Sequence, residues 1–296
     1  LLQPYSDLVR IVLACLSFIL IALLTARIVL YPHSVIHDFR SSIFASVFGT
    51  FFMTIMQLSV FLIPLFPTAA FVIWVAAIAG HMVLIVWFTI RFIGHFNFED
   101  VFPTYFVAYV GIVVASVTAP NYGMESYGEA VFWFGFSCYM VLLVVVTIRY
   151  ARIETPEPAK PIFCIYAAPM SLCLTGYLSC AENPNIVFVC TMAVLSQLLL
   201  VLVLTKLPCM LRLRFYPSYA AMTFPFVITA TALGKTIDFL SGYGIGTRGL
   251  QVLQIAEIAC AIFMVLFVLI KYLAFFHDLA TVKPYGEEPS LVKNVE

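Results

Sequence analysis

Charge is the scarcest property of this chain. Only 10% of its 296 residues are Asp, Glu, Lys or Arg, and 15 acidic side chains balance 15 basic ones. A soluble domain carries about a quarter charged residues. With zero net charge there is no basic field to attract nucleic acid. The eight cysteines stand singly and mostly inside apolar runs, with no C-x-x-C spacing, so they read as small hydrophobes rather than a disulfide framework or a metal site. H-E-x-x-H, G-x-S-x-G, paired carboxylates within an apolar run and haem-type histidine pairs are all missing, which leaves an enzyme without catalytic or cofactor-binding groups at membrane depth. What is abundant is apolar surface: 63% of the residues are hydrophobic and mean hydropathy is +1.06. Water cannot solvate that much hydrocarbon, and a bilayer can. The composition specifies an all-α integral membrane protein.

Nine runs have the roughly 20 apolar residues that crossing a bilayer requires. They lie near 6–31, 43–66, 68–93, 103–119, 127–149, 161–180, 185–206, 217–240 and 251–276. Lys and Arg concentrate in cytoplasmic loops. With the C-terminus inside, all 15 basic residues except Arg10, Lys235 and Arg248 fall on the cytoplasmic side. The chain is therefore expected to be multi-pass in the cell or plasma membrane, with a cytoplasmic C-terminus. Residues 1–280 read as a single transmembrane pore domain and 281–296 as a polar, disordered cytoplasmic tail. ARIETPEPAK, 151–160, reads as a cytoplasmic linker between helix pairs.

Proline and glycine recur in register. PTYFVAYVG begins at Pro103, PIFCIYAAP at Pro161 and PSYAAMTFP at Pro217, and each has a helix breaker eight positions on: Gly111, Pro169 and Pro225. SSIFASVFG, from Ser41, places Gly49 at the same offset. Proline in a first turn costs nothing, whereas inside a helix it costs roughly 3 kcal/mol. Successive units start about one helical hairpin apart, the mark of a repeated structural unit. Four breakers at one depth predict bent inner helices around an axis, with the alternate, unbroken helices outside. Extrapolating the period backward places a further inner helix before Leu1.

These hairpin repeats, the proline-opened helices and TFPF at 223–226 resemble the tellurite-resistance/dicarboxylate transporter family. That family includes bacterial tellurite-resistance channels, fungal malate and sulfite carriers and plant guard-cell slow anion channels. The resemblance runs from Ser6 to His277. It implies ten helices in five hairpins, of which nine spans are present here, around a central pore, in an assembly of three identical subunits. It also implies that Phe224, preceding the bend, blocks the pore, with Phe48, Val110 and Ala168 at the equivalent level of the other repeats. Family members often carry proline where this chain has Gly49 and Gly111, so those two bends are expected to be milder.

A helix turns 100° per residue, so Thr231 and Lys235 share the face of Phe224, with Lys235 roughly 16 Å further along. A hydrophobic constriction can gate by excluding water, and a positive mouth favours anions. Lys235 also reads as a snorkelled interface lysine or as a partner of Asp238. His81 and Glu257, within spans, are the candidate proton sites. His33 and His37 with Asp38 have helical spacing, but in a loop they make a poor metal site, and neither a metal nor a cofactor is expected. The leading reading is a gated channel or facilitator for small inorganic or organic anions. The alternative is a proton-coupled carrier of C4-dicarboxylates such as malate, or of sulfite or tellurite.

Overall fold

A computed structural model describes residues 3–281. Among these residues nine helices are long and apolar enough to cross a membrane: α1 (Leu8–Leu30), α2 (Ser42–Leu62), α3 (Pro67–Ile93), α4 (Tyr105–Tyr122), α5 (Glu125–Arg152), α6 (Glu157–Cys180), α7 (Ile186–Leu211), α8 (Pro217–Gly242) and α9 (Arg248–Thr281). Thr281 closes α9, and the rest of the tail expected at 281–296 lies outside the described residues.

Burial grades the helices, and α2 at the end of the arc is no more enclosed than its neighbour α3. α4 and α6 are mostly enclosed and α8 is about half enclosed, while α1 and α9 turn most of their surface outward. The even-numbered helices pack in sequence order, α2 on α4, α4 on α6 and α6 on α8, and each also packs on the odd-numbered helix that follows it. The result is a series of hairpins with an inner arc and an outer layer. Lipid tails are as apolar as leucine, so close packing and interhelical hydrogen bonds hold such an arc together. Trp74 Nε1 donates to Thr118 Oγ1 at 2.8 Å between α3 and α4. Tyr122 donates to Ser59 Oγ at 2.7 Å between α4 and α2, and Ser171 and Ser196 meet at 2.7 Å between α6 and α7.

Each inner helix changes its winding part-way along. In α2 the first α-helical stretch ends at Val47 and a second starts at Gly49. In α4 a 3-10 turn, Gly111–Val113, separates two α-helical stretches. α6 is 3-10 helical over Glu157–Ala167 and α-helical from Ala168; α8 is 3-10 helical over Pro217–Met222 and α-helical from Phe224. Pro169 and Pro225 thus fall in the first turn of an α-helical stretch, where no internal partner awaits the missing N–H. This explains how two prolines sit deep in the sequence of apolar spans without breaking them.

Three details differ from the sequence reading. The linker at 151–160 shrinks to a few residues, because Arg152 still ends α5 and the proline-rich Glu157–Lys160 already winds as 3-10 helix. The outer helices are not all regular: α3 ends in a π-helical turn, Thr89–Ile93, where Thr89 Oγ1 donates back to Ile85 O at 2.7 Å and α7 carries Pro208 near its end. His33, His37 and Asp38 lie on a short helix, Pro32–Asp38, rather than a loop, and Asp38 is ion-paired with Arg27.

At the same end of the bundle Arg149 is buried although no carboxylate pairs with it among the described residues. It donates to Thr155 Oγ1 at 2.8 Å and lies 4.5 Å above the Phe102 ring. A guanidinium stacks well on aromatic faces, and here it ties the entry of α4 to the exit of α5.

Candidate pore

Among the described residues α2 and α8 stand at the two ends of the arc. α2 and α8 share no packed interface among the described residues, and each carries an exposed polar stripe. On α8 the polar members are Thr231 and Asp238, with Lys235 half-buried beside them and the apolar Val227 exposed on the same face; on α2 they are Thr50 and Gln57, with Thr54 half-buried and the apolar Phe61 exposed at the end. Residues spaced by three and four share a helix face. Threonine, glutamine and lysine on an inner helix are out of place against lipid and suited to water or an ion.

Phe224 stands where α8 changes winding, half-buried and packed on the core, directly before the buried Pro225. Thr231 Oγ1 donates to Val227 O at 2.9 Å, its own preceding turn. Lys235 Nζ donates to Ser179 Oγ on α6 at 2.9 Å, and no ion pair joins it to Asp238. The hydroxyl therefore positions this cation without cancelling its charge.

The equivalent positions in the other repeats diverge. Val110 and Ala168 are buried, whereas Phe48 is half-buried in an aromatic cluster, its ring 4.9 Å from Phe39 and 5.3 Å from Phe51. Pro169 is buried with them.

His81 is completely buried, and its Nε2 lies 2.8 Å from Ala108 O in the last turn before α4 tightens. Because the partner is a carbonyl, Nε2 carries the hydrogen; Nδ1 is buried with no partner among the described residues. The imidazole fills the space between two winding changes. A Cβ at Gly49 would lie 3.3 Å from His81 Cε1, and one at Gly111 would lie 3.2 Å from the same atom and 2.7 Å from Met53 Sδ. Glycine at both positions admits the ring. Glu257 is likewise buried, on outer helix α9, and neither of its carboxylate oxygens has a hydrogen-bond partner among the described residues. The two candidate proton sites are thus enclosed rather than set on the exposed stripes.

The sequence profile of the voltage-dependent anion channel family matches residues 2–273, nearly the whole chain. The chain belongs to the voltage-dependent anion channel family. This agrees with the resemblance to tellurite-resistance and dicarboxylate transporters, and it makes the general function anion transport by a multi-pass membrane protein. No curated protein matches the chain.

The α2 stripe escaped sequence reasoning. Its signal was present: Thr50, Thr54 and Gln57 are spaced by four and three, so they fall within about 60° on one helix face. Nothing in composition distinguishes such a stripe from hydroxyls turned back onto their own helix. Thr54 Oγ1 in fact donates to Thr50 O at 2.8 Å.

Proposed function

We propose that the protein is a gated anion channel whose path follows the polar stripes of α2 and α8. In this reading Phe224 forms the constriction and Lys235 the positive mouth. The observation that carries it is the sequence Phe224, Thr231, Lys235 along one face of inner helix α8: an aromatic at the winding change, then a hydroxyl, then a cation held by a neutral partner. A hydrophobic ring excludes water from a narrow passage, and a cation beyond it raises the local anion concentration. No stripe residue forms a ring of Arg or Lys within the membrane, so selection rests on width and dehydration cost and is loose.

The proposed pore domain spans 1–280 and works as a homotrimer, with the tail at 281–296 on the cytoplasmic side. Inorganic and small organic anions share the path. The rival reading, a proton-coupled carrier for malate-type dicarboxylates, sulfite or tellurite, requires His81 or Glu257 to exchange protons with the pathway. Their burial away from the stripes supports the channel. Anion flux in liposomes, measured at fixed voltage with and without a pH gradient, tests the choice. Flux indifferent to the gradient is expected; malate uptake that collapses without it would establish the carrier.

A further inference from the structure

Between α2, α3 and the short helix Pro32–Asp38 lies an open groove of about 660 Å³. Its walls are apolar, with Phe39, Phe48, Phe52 and Trp87 around Gly80 and Val83. Two guanidiniums, Arg40 and Arg91, complete the lining, and no carboxylate does. Arg40 precedes α2 and Arg91 lies in the last turn of α3, so both stand at the same end of the bundle. Gly80 is eleven residues before Arg91, which places the apolar part of the groove roughly 16 Å deeper along α3.

The groove opens sideways. Val83, in its lining, is 68% exposed on the outer surface of α3. Its nearest acid in sequence, Asp38, is already paired with Arg27, and neither Arg40 nor Arg91 has an ion-pair partner among the described residues. Two unpaired guanidiniums at one membrane interface, with an aromatic-walled slot running inward from them, match a molecule with an anionic head and a hydrocarbon tail.

The geometry points to a binding site for an acidic phospholipid, with its phosphate on Arg40 and Arg91 and one acyl chain along Trp87, Phe48 and Phe52. Guanidinium recognises phosphate through a fork of N–H donors. The zwitterionic phosphocholine headgroup of the commonest bilayer lipid brings a quaternary ammonium as well as a phosphate, and two guanidiniums disfavour it. A free phosphate would meet the same donors but would leave the apolar slot empty. The site lies between α2 and α3, on the face of α2 opposite its polar stripe, and does not depend on how anions cross.

The test is lipid retention by the purified, delipidated protein after exposure to mixed micelles of phosphatidylglycerol and phosphatidylcholine, read by native mass spectrometry. Wild type is expected to retain phosphatidylglycerol over phosphatidylcholine by about tenfold to thirtyfold, as two basic side chains near an anionic headgroup predict. The double variant Arg40→Gln/Arg91→Gln should lose that preference, and Arg40→Lys/Arg91→Lys should keep part of it. Equal retention of the two lipids by wild type would overturn the site, as would an unchanged preference in the glutamine variant. Displacement of phosphatidylglycerol by millimolar inorganic phosphate would also overturn it, by showing that the slot contributes nothing. If the glutamine variant fails to fold, the wild-type comparison of the two lipids still decides.

Discussion

His81 Nε2 meets Ala108 O at 2.8 Å, joining an outer helix to the backbone of an inner helix just before that helix tightens into a 3-10 turn. Carbonyls near a change of winding lose ideal partners in their own helix and need others. Here a side chain from the neighbouring span supplies one. The imidazole is thereby fixed between Gly49 and Gly111, where the first two inner helices change course.

His81→Gln should preserve the contact, because an amide N–H can occupy the place of Nε2–H. His81→Ala should not. An interhelical hydrogen bond in a bilayer contributes about 0.6 kcal/mol on average, whereas a large-to-small change in a packed interior costs about 2–5 kcal/mol. Lost packing therefore dominates the alanine variant. Thermal unfolding in detergent should show a clear drop in Tm for alanine and little change for glutamine. Proton-dependent transport that vanishes in the glutamine variant would instead make His81 a proton site.

Gly111→Ala should destabilise despite the helix propensity of alanine. The propensity gain is at most about 1 kcal/mol. The added Cβ would crowd Met53 Sδ at 2.7 Å and His81 Cε1 at 3.2 Å, and overpacking costs about 1–3 kcal/mol. Combining it with His81→Ala should relieve part of that cost. A double-mutant cycle on unfolding free energies should therefore show coupling of about 0.5–3 kcal/mol. Strict additivity would mean that the ring and the glycine do not share the space.

Lys235→Gln should reduce anion conductance about fivefold at low salt, the equivalent of roughly 1 kcal/mol for a unit charge near the ion in water-like surroundings. Because salt screens a charge that acts on ions in a water-filled mouth, the effect should shrink as salt rises. Lys235→Arg should retain most of the conductance. A glutamine variant that conducts like wild type at low salt would make Lys235 a packing residue held by Ser179.

Much of the architecture was legible in residue order. The span count follows from the length of the apolar runs, and the offset from Ser41, Pro103, Pro161 and Pro217 marks where winding changes. Neighbours were not legible. Gly49 and Gly111 looked like weaker versions of Pro169 and Pro225, but their spacing to His81 exists only once α3 has packed against α2 and α4. Phe48 and Phe224 occupy equivalent places in the repeat, yet Phe48 joins Phe39 and Phe51 in a ring cluster because the short helix before α2 folds over it. Periodicity encodes which face is buried, and it does not encode what the face meets.

The most direct test of the central claim is single-channel or liposome anion conductance of Phe224→Ala beside wild type, at equal protein density and with both forms shown to be folded and monodisperse. Removing the aromatic ring from a dewetted constriction should raise conductance about tenfold or more, a barrier change of at least roughly 1.4 kcal/mol. Unchanged conductance in the folded alanine variant would contradict the assignment of Phe224 as the gate.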